Sequence, residues 1–143
     1  MDHEVVKDFL GRARETLREA EELLDRIEYA LCVSRSQECI ELSLKAAVLL
    51  TGAKYSTDHD VGGDLIQSYQ RFPDWFKKKI PRFAVISRAA YVLSMYAKYG
   101  YERLQAPASD LFGKHDASCC VDNAREILID CERFFHEEQS KSL

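Results

Sequence analysis

The residues best suited to chemistry lie in "STDHDVGGDL", residues 56–65, where His59 stands between Asp58 and Asp60 ahead of a glycine pair. Histidine titrates near neutral pH, so beside carboxylates it can serve as general base or metal ligand. Two other readings compete for the same letters. Thr57 or Asp58 can cap a helix with Asp60 in its first turn, His59 helping to close the turn. The free N–H groups of a helix start can instead receive a phosphate, with Gly62 and Gly63 permitting close approach. The glycine pair is no P-loop, since neither Gly-Lys-Ser/Thr nor a preceding strand accompanies it, and tight helix packing is its expected role. A lone histidine needs a catalytic partner that the spacing does not identify, so no catalytic residue is assigned.

Three further groups carry polar or aromatic chemistry. In "SRSQE" Ser34 and Glu38 are four apart on one helix face beside Arg35, and Lys45 follows Arg35 by ten residues, about 80° around a helix. This is either a polar groove or an ordinary solvated, salt-bridged face. "FPDWFKKKIPRF" interleaves aromatics with bases, as a single-strand binder would, but amphipathic helices bury Trp and Phe in the same pattern. Tyr91 with Arg88, and Tyr99 and Tyr101 with Glu102, can line a pocket; tyrosines at a homodimer interface are the competing reading. The five cysteines (32, 39, 119, 120 and 131) show no C-x-x-C or zinc spacing. Cys32 and Cys39 share a helix face, as do Cys120 and Cys131, so small buried thiols are expected and no metal site is assigned.

These residues need elements to hold them, and the elements are helical. Residues 3–29 repeat apolar positions at three- and four-residue steps, and residues 32–51 are apolar around more than half their circumference before Gly52. The second pattern predicts a central helix touched on several sides. "GGDLIQSYQRF" predicts a short third helix, "PDWFKKKIP" a one- or two-turn piece, and Pro81 to Gly100 a fourth helix. A fifth runs over 115–138, after an irregular loop "YERLQAPASDLF". Gly11 interrupts the first helix, as it would where another backbone comes close. No β-alternation and no internal repeat occurs. With 143 residues the chain is expected to form one domain, 1–143. No stretch is long and apolar enough to span a bilayer, and the charged N-terminus is no secretory signal, so a cytoplasmic protein without membrane contact is expected. The net charge of −4 hides a polarity: residues 71–103 carry eight Lys/Arg against two acids, leaving the other 110 residues at −10. Such a chain is a poor nonspecific nucleic-acid binder, though a local basic face can contact phosphate or an acidic partner.

"VSRSQECIELSLKAAVLLTGAKYSTDHDVGGDL" resembles the HEPN family, through its Ser-Arg start, "KAAVLL" middle, glycine stop, tyrosine and "HDVGGDL" helix opening. "YGYERLQAPASDLFGKHDASCCVDNAREILIDCERF" is similar to the C-terminal part of archaeal-type, stand-alone members. Together these pieces cover roughly half the chain. The resemblance implies an all-α, five-helix up-and-down bundle of HEPN or nucleotidyltransferase-substrate-binding-subunit type, and a homodimer. It further implies a partner minimal nucleotidyltransferase in a toxin–antitoxin context, and nucleotide or RNA as ligand. Ribonuclease members of the family carry Arg, four to six residues, then His. Here Arg133 precedes His136 by three, Arg103 precedes His115 by twelve, Arg35 precedes His59 by twenty-four, and no arginine precedes His3. The expectation is therefore a noncatalytic binding module without cofactor, with ligand-binding candidates Ser34, Arg35, Glu38, Lys45, His59, Arg88, Tyr91, Tyr99 and Tyr101. The alternatives are a metal-independent ribonuclease using Arg35, His59, Arg88 and Tyr91, or a purely structural dimer or adaptor.

Overall fold

Apolar positions at helical spacing produce helices, and the computed structural model, which describes residues 3–141, places them as a bundle. Its α-helices are α1 (His3–Asp25), α2 (Tyr29–Leu50), α3 (Gly62–Gln67), α4 (Asp74–Lys77), α5 (Ile80–Tyr99) and α6 (Lys114–Lys141). The five expected helices are present, and the one-turn piece after Pro73 is α4. The third helix is shorter than its pattern, ending at Gln67 and continuing as a 3₁₀ turn, Tyr69–Arg71. The irregular loop contains two more 3₁₀ turns and an antiparallel bridge between Tyr101 and Ala106.

α2 is the axis of the fold. It packs against α1, α5 and α6, and Val33, Ile40, Leu44 and Val48 are each at most 2% exposed. Close approach follows from small side chains at the seams. α5 turns Ser87, Ala90, Ser94 and Ala97 inward. On α2 the thiols of Cys32 and Cys39 point at the carbonyls of Ala117 and Ala124, at 4.0 and 3.8 Å. Both pairs are offset by 85 residues, so α2 and α6 run parallel, while the Lys79–Asp130 and Arg82–Glu126 pairs set α5 antiparallel to α6. Burial pushes the Cys32 thiol up to about 11 and the Cys39 thiol up to about 12, so both behave as small apolar groups. Cys131 is buried as well, but Cys119 faces solvent, contrary to the buried reading, with Sγ 3.6 Å from His115 Nε2.

At the other end Phe72, Phe76, Phe83 and Phe134 form an aromatic cluster, with Phe76 fully buried and its ring 4.7 Å from Phe72. Trp75 donates to Glu137 at 3.0 Å and lies 3.8 Å beneath the Arg133 guanidinium. The aromatics of "FPDWFKKKIPRF" therefore make core and cation–π contacts.

The first helix ends four residues before its pattern does. Glu28 N–H bonds to the Leu23 carbonyl and Ile27 N–H to that of Leu24, at 2.9 and 3.1 Å, which closes α1 with a Schellman motif. Its left-handed residue is Ile27, at φ 63° and 71% exposed, where glycine is the usual choice. Gly11 corrects a second expectation: nothing lies within 4 Å of the place a Cβ would occupy, so no backbone approaches there. Replacing Ile27 by Gly should stabilise the chain by roughly 1 kcal/mol, the usual cost of a left-handed non-glycine residue. Urea unfolding of the two proteins would show this as a higher midpoint at unchanged slope; an equal or lower midpoint would mean that the turn is not strained.

Candidate functional site

The segment between α2 and α3 is held by side chains in place of a regular ladder. Asp64 accepts both the N–H and the hydroxyl of Ser56, at 3.1 and 3.0 Å. Asp60 accepts the Gly62 N–H at 3.0 Å and the Ser87 hydroxyl at 3.1 Å, and Ser87 Oγ accepts the Val61 N–H at 2.9 Å. The cap of α3 is thus an Asx contact from Asp60, two residues before the helix, and not Thr57 or Asp58 as the sequence suggested. Gly62 is packed against α5, where a Cβ would lie 3.1 Å from the Ala84 carbonyl oxygen. Gly63 has open space around it, so the packing role belongs to one glycine of the pair.

This loop, α3 and α5 enclose an open cavity of about 530 Å³, into which His59, Arg88 and Tyr91 converge from two separate segments. His59 Nδ1 lies 3.0 Å from Glu41 Oε1, and its ring stacks beside Tyr91 at 6.1 Å between centroids and 27° between planes. Arg88 reaches Asp60 Oδ2 at 3.4 Å. Lys45 enters one layer back: 8% exposed, it donates to Glu41 at 2.9 Å and sits 5.0 Å over the Tyr55 ring. Burial pushes the Glu41 carboxyl up, but hydrogen bonds from Lys45 and Gln37 and the charges of Lys45 and His59 outweigh it, holding Glu41 below its ordinary value. A carboxylate on Nδ1 orients an imidazole and leaves Nε2 for a ligand or a proton.

The nine sequence candidates fall into three groups. Lys45, His59, Arg88 and Tyr91 share the cavity region. Ser34, Arg35 and Glu38 lie elsewhere: Ser34 is buried, and Arg35, six residues or about 9 Å before Glu41 along α2, bridges Glu19 and Glu38 at 3.2 and 3.1 Å in an α1–α2 ion-pair cluster. Tyr99 and Tyr101 stand at the far end of α5, where Tyr101 packs edge-on against Tyr96 at 5.6 Å. Sequence reasoning missed Glu41, Asp64 and Ser87 as members of the site. Glu41 was discoverable as the residue four before Lys45 on α2. The lining is rich in carboxylates (Asp58, Asp60 and Asp64), and the Gly62 N–H at the start of α3 is already bonded, so the phosphate reading of this helix start has little room. Among the described residues no group of three or more His, Cys, Asp or Glu is arranged to hold a metal, and no helix is long and apolar enough to cross a membrane.

A family model described as HEPN domain matches residues 6–134. A Methanocaldococcus jannaschii protein named "Putative toxin MJ1304" is 28% identical over 138 residues, spanning 92% of this chain and 89% of that protein. The crystal structure of TT1696 from Thermus thermophilus superposes with a TM-score of 0.66 at 25% identity, over 93% of this chain and 97% of TT1696.

The Glu41 network predicts a pH-dependent stability. A carboxyl held below its unfolded value contributes stability above the ordinary glutamate range, and loses it as pH falls through the lowered value. Glu41→Gln should cost about 2–3 kcal/mol at pH 7, because Lys45 loses its buried partner. The gap to wild type should narrow as the pH drops below the ordinary glutamate range. Denaturant titrations from pH 7 to pH 3 check this, and a constant gap would assign the loss to packing alone.

Proposed function

This chain belongs to the HEPN domain family, and on that premise we propose that it is a noncatalytic, homodimeric binding module of a toxin–antitoxin pair. The observation that carries the reading is the convergence of His59, Arg88 and Tyr91 on one open cavity, with His59 held by Glu41. Similarity to a protein named as a toxin supports the context. No histidine follows an arginine at the four-to-six-residue separation of the ribonuclease members, which supports the noncatalytic assignment.

Of the ligands the family implies, the cavity favours a partner protein, the minimal nucleotidyltransferase. Asp58 at the exposed rim, with Asp60 and the buried Asp64 behind it, disfavours a bare phosphate and favours a lysine or arginine from a partner surface, while the stacked His59 and Tyr91 accept its aliphatic stem or a nucleobase. A second reading, the metal-independent ribonuclease, is favoured by one contact: Glu41 orients His59 as a general base would be oriented, with Arg88 lining the same cavity.

Co-expression with a nucleotidyltransferase encoded beside the gene, followed by affinity capture, tests the first reading. The pair should co-purify, and His59→Ala or Tyr91→Ala should weaken the complex about tenfold, a loss of some 1.4 kcal/mol, without altering the melting temperature appreciably. Capture unaffected by both substitutions would remove the cavity from the interface. Incubation of the purified protein with RNA in chelator separates the two readings: no cleavage is expected, and cleavage abolished by His59→Ala or Arg88→Ala would replace the binder with the enzyme.

A further inference from the structure

α5 and α6 both rest on α2 but barely touch each other, and a crevice floored by α2 runs between them. The pairs Lys79–Asp130 and Arg82–Glu126 close one end and set the register. Continued along the two antiparallel helices, that register brings Ala89 level with Cys119 and Cys120, and Tyr96 level with Phe112. Two cavities follow each other along the crevice and share Leu93. The inner one, about 120 Å³, has Ser36, Gln37 and Ile40 of α2 as floor and Ala89, Cys120 and Asn123 on its walls. The next, about 250 Å³, is lined by Leu93, Tyr96, Tyr101, Leu111 and Phe112.

The two ends differ in chemistry. Ser36 is 1% exposed, and its hydroxyl has no hydrogen-bond partner beyond the weakly accepting Cys32 thiol. A buried hydroxyl without a strong partner is an exception in a folded protein. Gln37 gives its amide N–H to Glu41 at 3.0 Å and keeps its carbonyl oxygen uncommitted. The Asn123 amide bonds to no other described residue. No ionised side chain lines either cavity, since burial pushes the Cys120 thiol up to about 12. A charged head would lose its hydration there without a counter-ion, whereas an uncharged donor and acceptor meets three polar side chains. The second cavity is apolar and aromatic, with Tyr101 edge-on to Tyr96 at 5.6 Å.

From this gradient we infer that the crevice binds a neutral amphiphile, with a hydroxyl or amide head on Ser36, Gln37 and Asn123 and a short apolar chain running past Leu93 to Phe112. Ala89 to Tyr96 is seven residues, about 10 Å at the helical rise, which matches a chain of about eight carbons. Size excludes a protein segment as occupant. The inner cavity is smaller than the roughly 150 Å³ that accommodates benzene, so it admits a head group and not a helix. The ion pairs block one end, and the loop tied by the Tyr101–Ala106 bridge blocks the other. The crevice is joined to the His59 cavity through one residue: Gln37 bonds the same Glu41 oxygen that holds His59 Nδ1. Occupation at Gln37 therefore reaches His59. This site requires neither the dimer nor the partner protein proposed above.

Titration calorimetry and thermal melting of the full-length protein with octanol, octanamide and octanoate test the site. The alcohol and the amide should bind and raise the melting temperature, and octanoate should bind at least about tenfold more weakly. Ala89→Trp, at an exposed position on the rim, should abolish octanol binding with unchanged circular dichroism. Ser36→Ala should leave the melting temperature of the free protein equal or higher, because it removes a buried hydroxyl that lacks a strong partner. The same substitution should weaken octanol binding about fivefold. Octanol should also shift the His59 imidazole NMR signals in wild type and not in Ala89→Trp. No heat and no melting shift with alcohol or amide overturns the site, as does octanoate binding equal to that of octanol. Binding that survives Ala89→Trp puts the amphiphile elsewhere and overturns it too. An unmoved His59 signal with octanol bound overturns the link to the His59 cavity.

Discussion

The burial of α2 between three helices is the constraint from which the rest of the molecule follows. A helix that touches α1, α5 and α6 leaves only a narrow half-exposed edge, at Arg35 and Glu38, and little solvent face for its other polar residues. Those residues must find partners inside the bundle or along its flank, because an unpaired buried charge is far costlier than an unpaired surface one. Lys45 is the sharpest case. At 8% exposure its ammonium is kept by Glu41 and by the Tyr55 ring, and Glu41 in turn gathers Gln37 and His59. The arrangement that resembles a catalytic dyad therefore begins as a solution to a packing problem. Any ligand chemistry at His59 is built on that foundation.

The loop before α3 is governed by similar logic. Between Gly52 and Val61 the chain has no helical ladder to satisfy its backbone, and Asp60, Asp64 and Ser87 supply the missing acceptors. These carboxylates are thus partly spent on architecture, which limits what they can do for a ligand. What remains directed into the cavity is the His59 ring, the face of Tyr91 and the Arg88 guanidinium, with a negative field around them. That combination suits a cationic or planar group better than an isolated anion.

Much of this was legible in the sequence, and the failures have identifiable causes. The long helices follow from their apolar periodicity, and the centrality of α2 from the breadth of its apolar surface. Gly52 and Gly100 were readable as helix ends, and both have positive φ, at 83° and 71°. The end of α1 was not readable, because the left-handed position is filled by Ile27, a residue that carries no turn signal. The site was half legible. His59 and its acids stand out as letters, but the partnership with Glu41 spans eighteen residues and depends on how the loop folds back over α2. Ser34, Arg35 and Glu38 share α2 with Glu41 and Lys45, yet helix rise and rotation turn Arg35 toward Glu19 of α1. Local spacing fixes which residues share a face; it does not fix which neighbour that face meets.

α5 illustrates the same limit from the other side. A helix that is apolar on one stripe announces its buried face, but α5 is apolar on two, and periodicity alone cannot say which stripe the bundle takes. Side-chain size decides. Ser87, Ala90, Ser94 and Ala97 are small enough to let α5 approach the crowded α2, whereas the outer row contains valines and tyrosines that would hold the two helices apart. The larger stripe is thereby left outside. Arg88 and Tyr91 lie near the boundary between the stripes, where the one belongs to both the cavity and the groove between α3 and α5 and the other to the cavity wall. One rigid helix thus positions the His59 site and the exposed apolar row, and the packing demand of α2 sets the orientation of both.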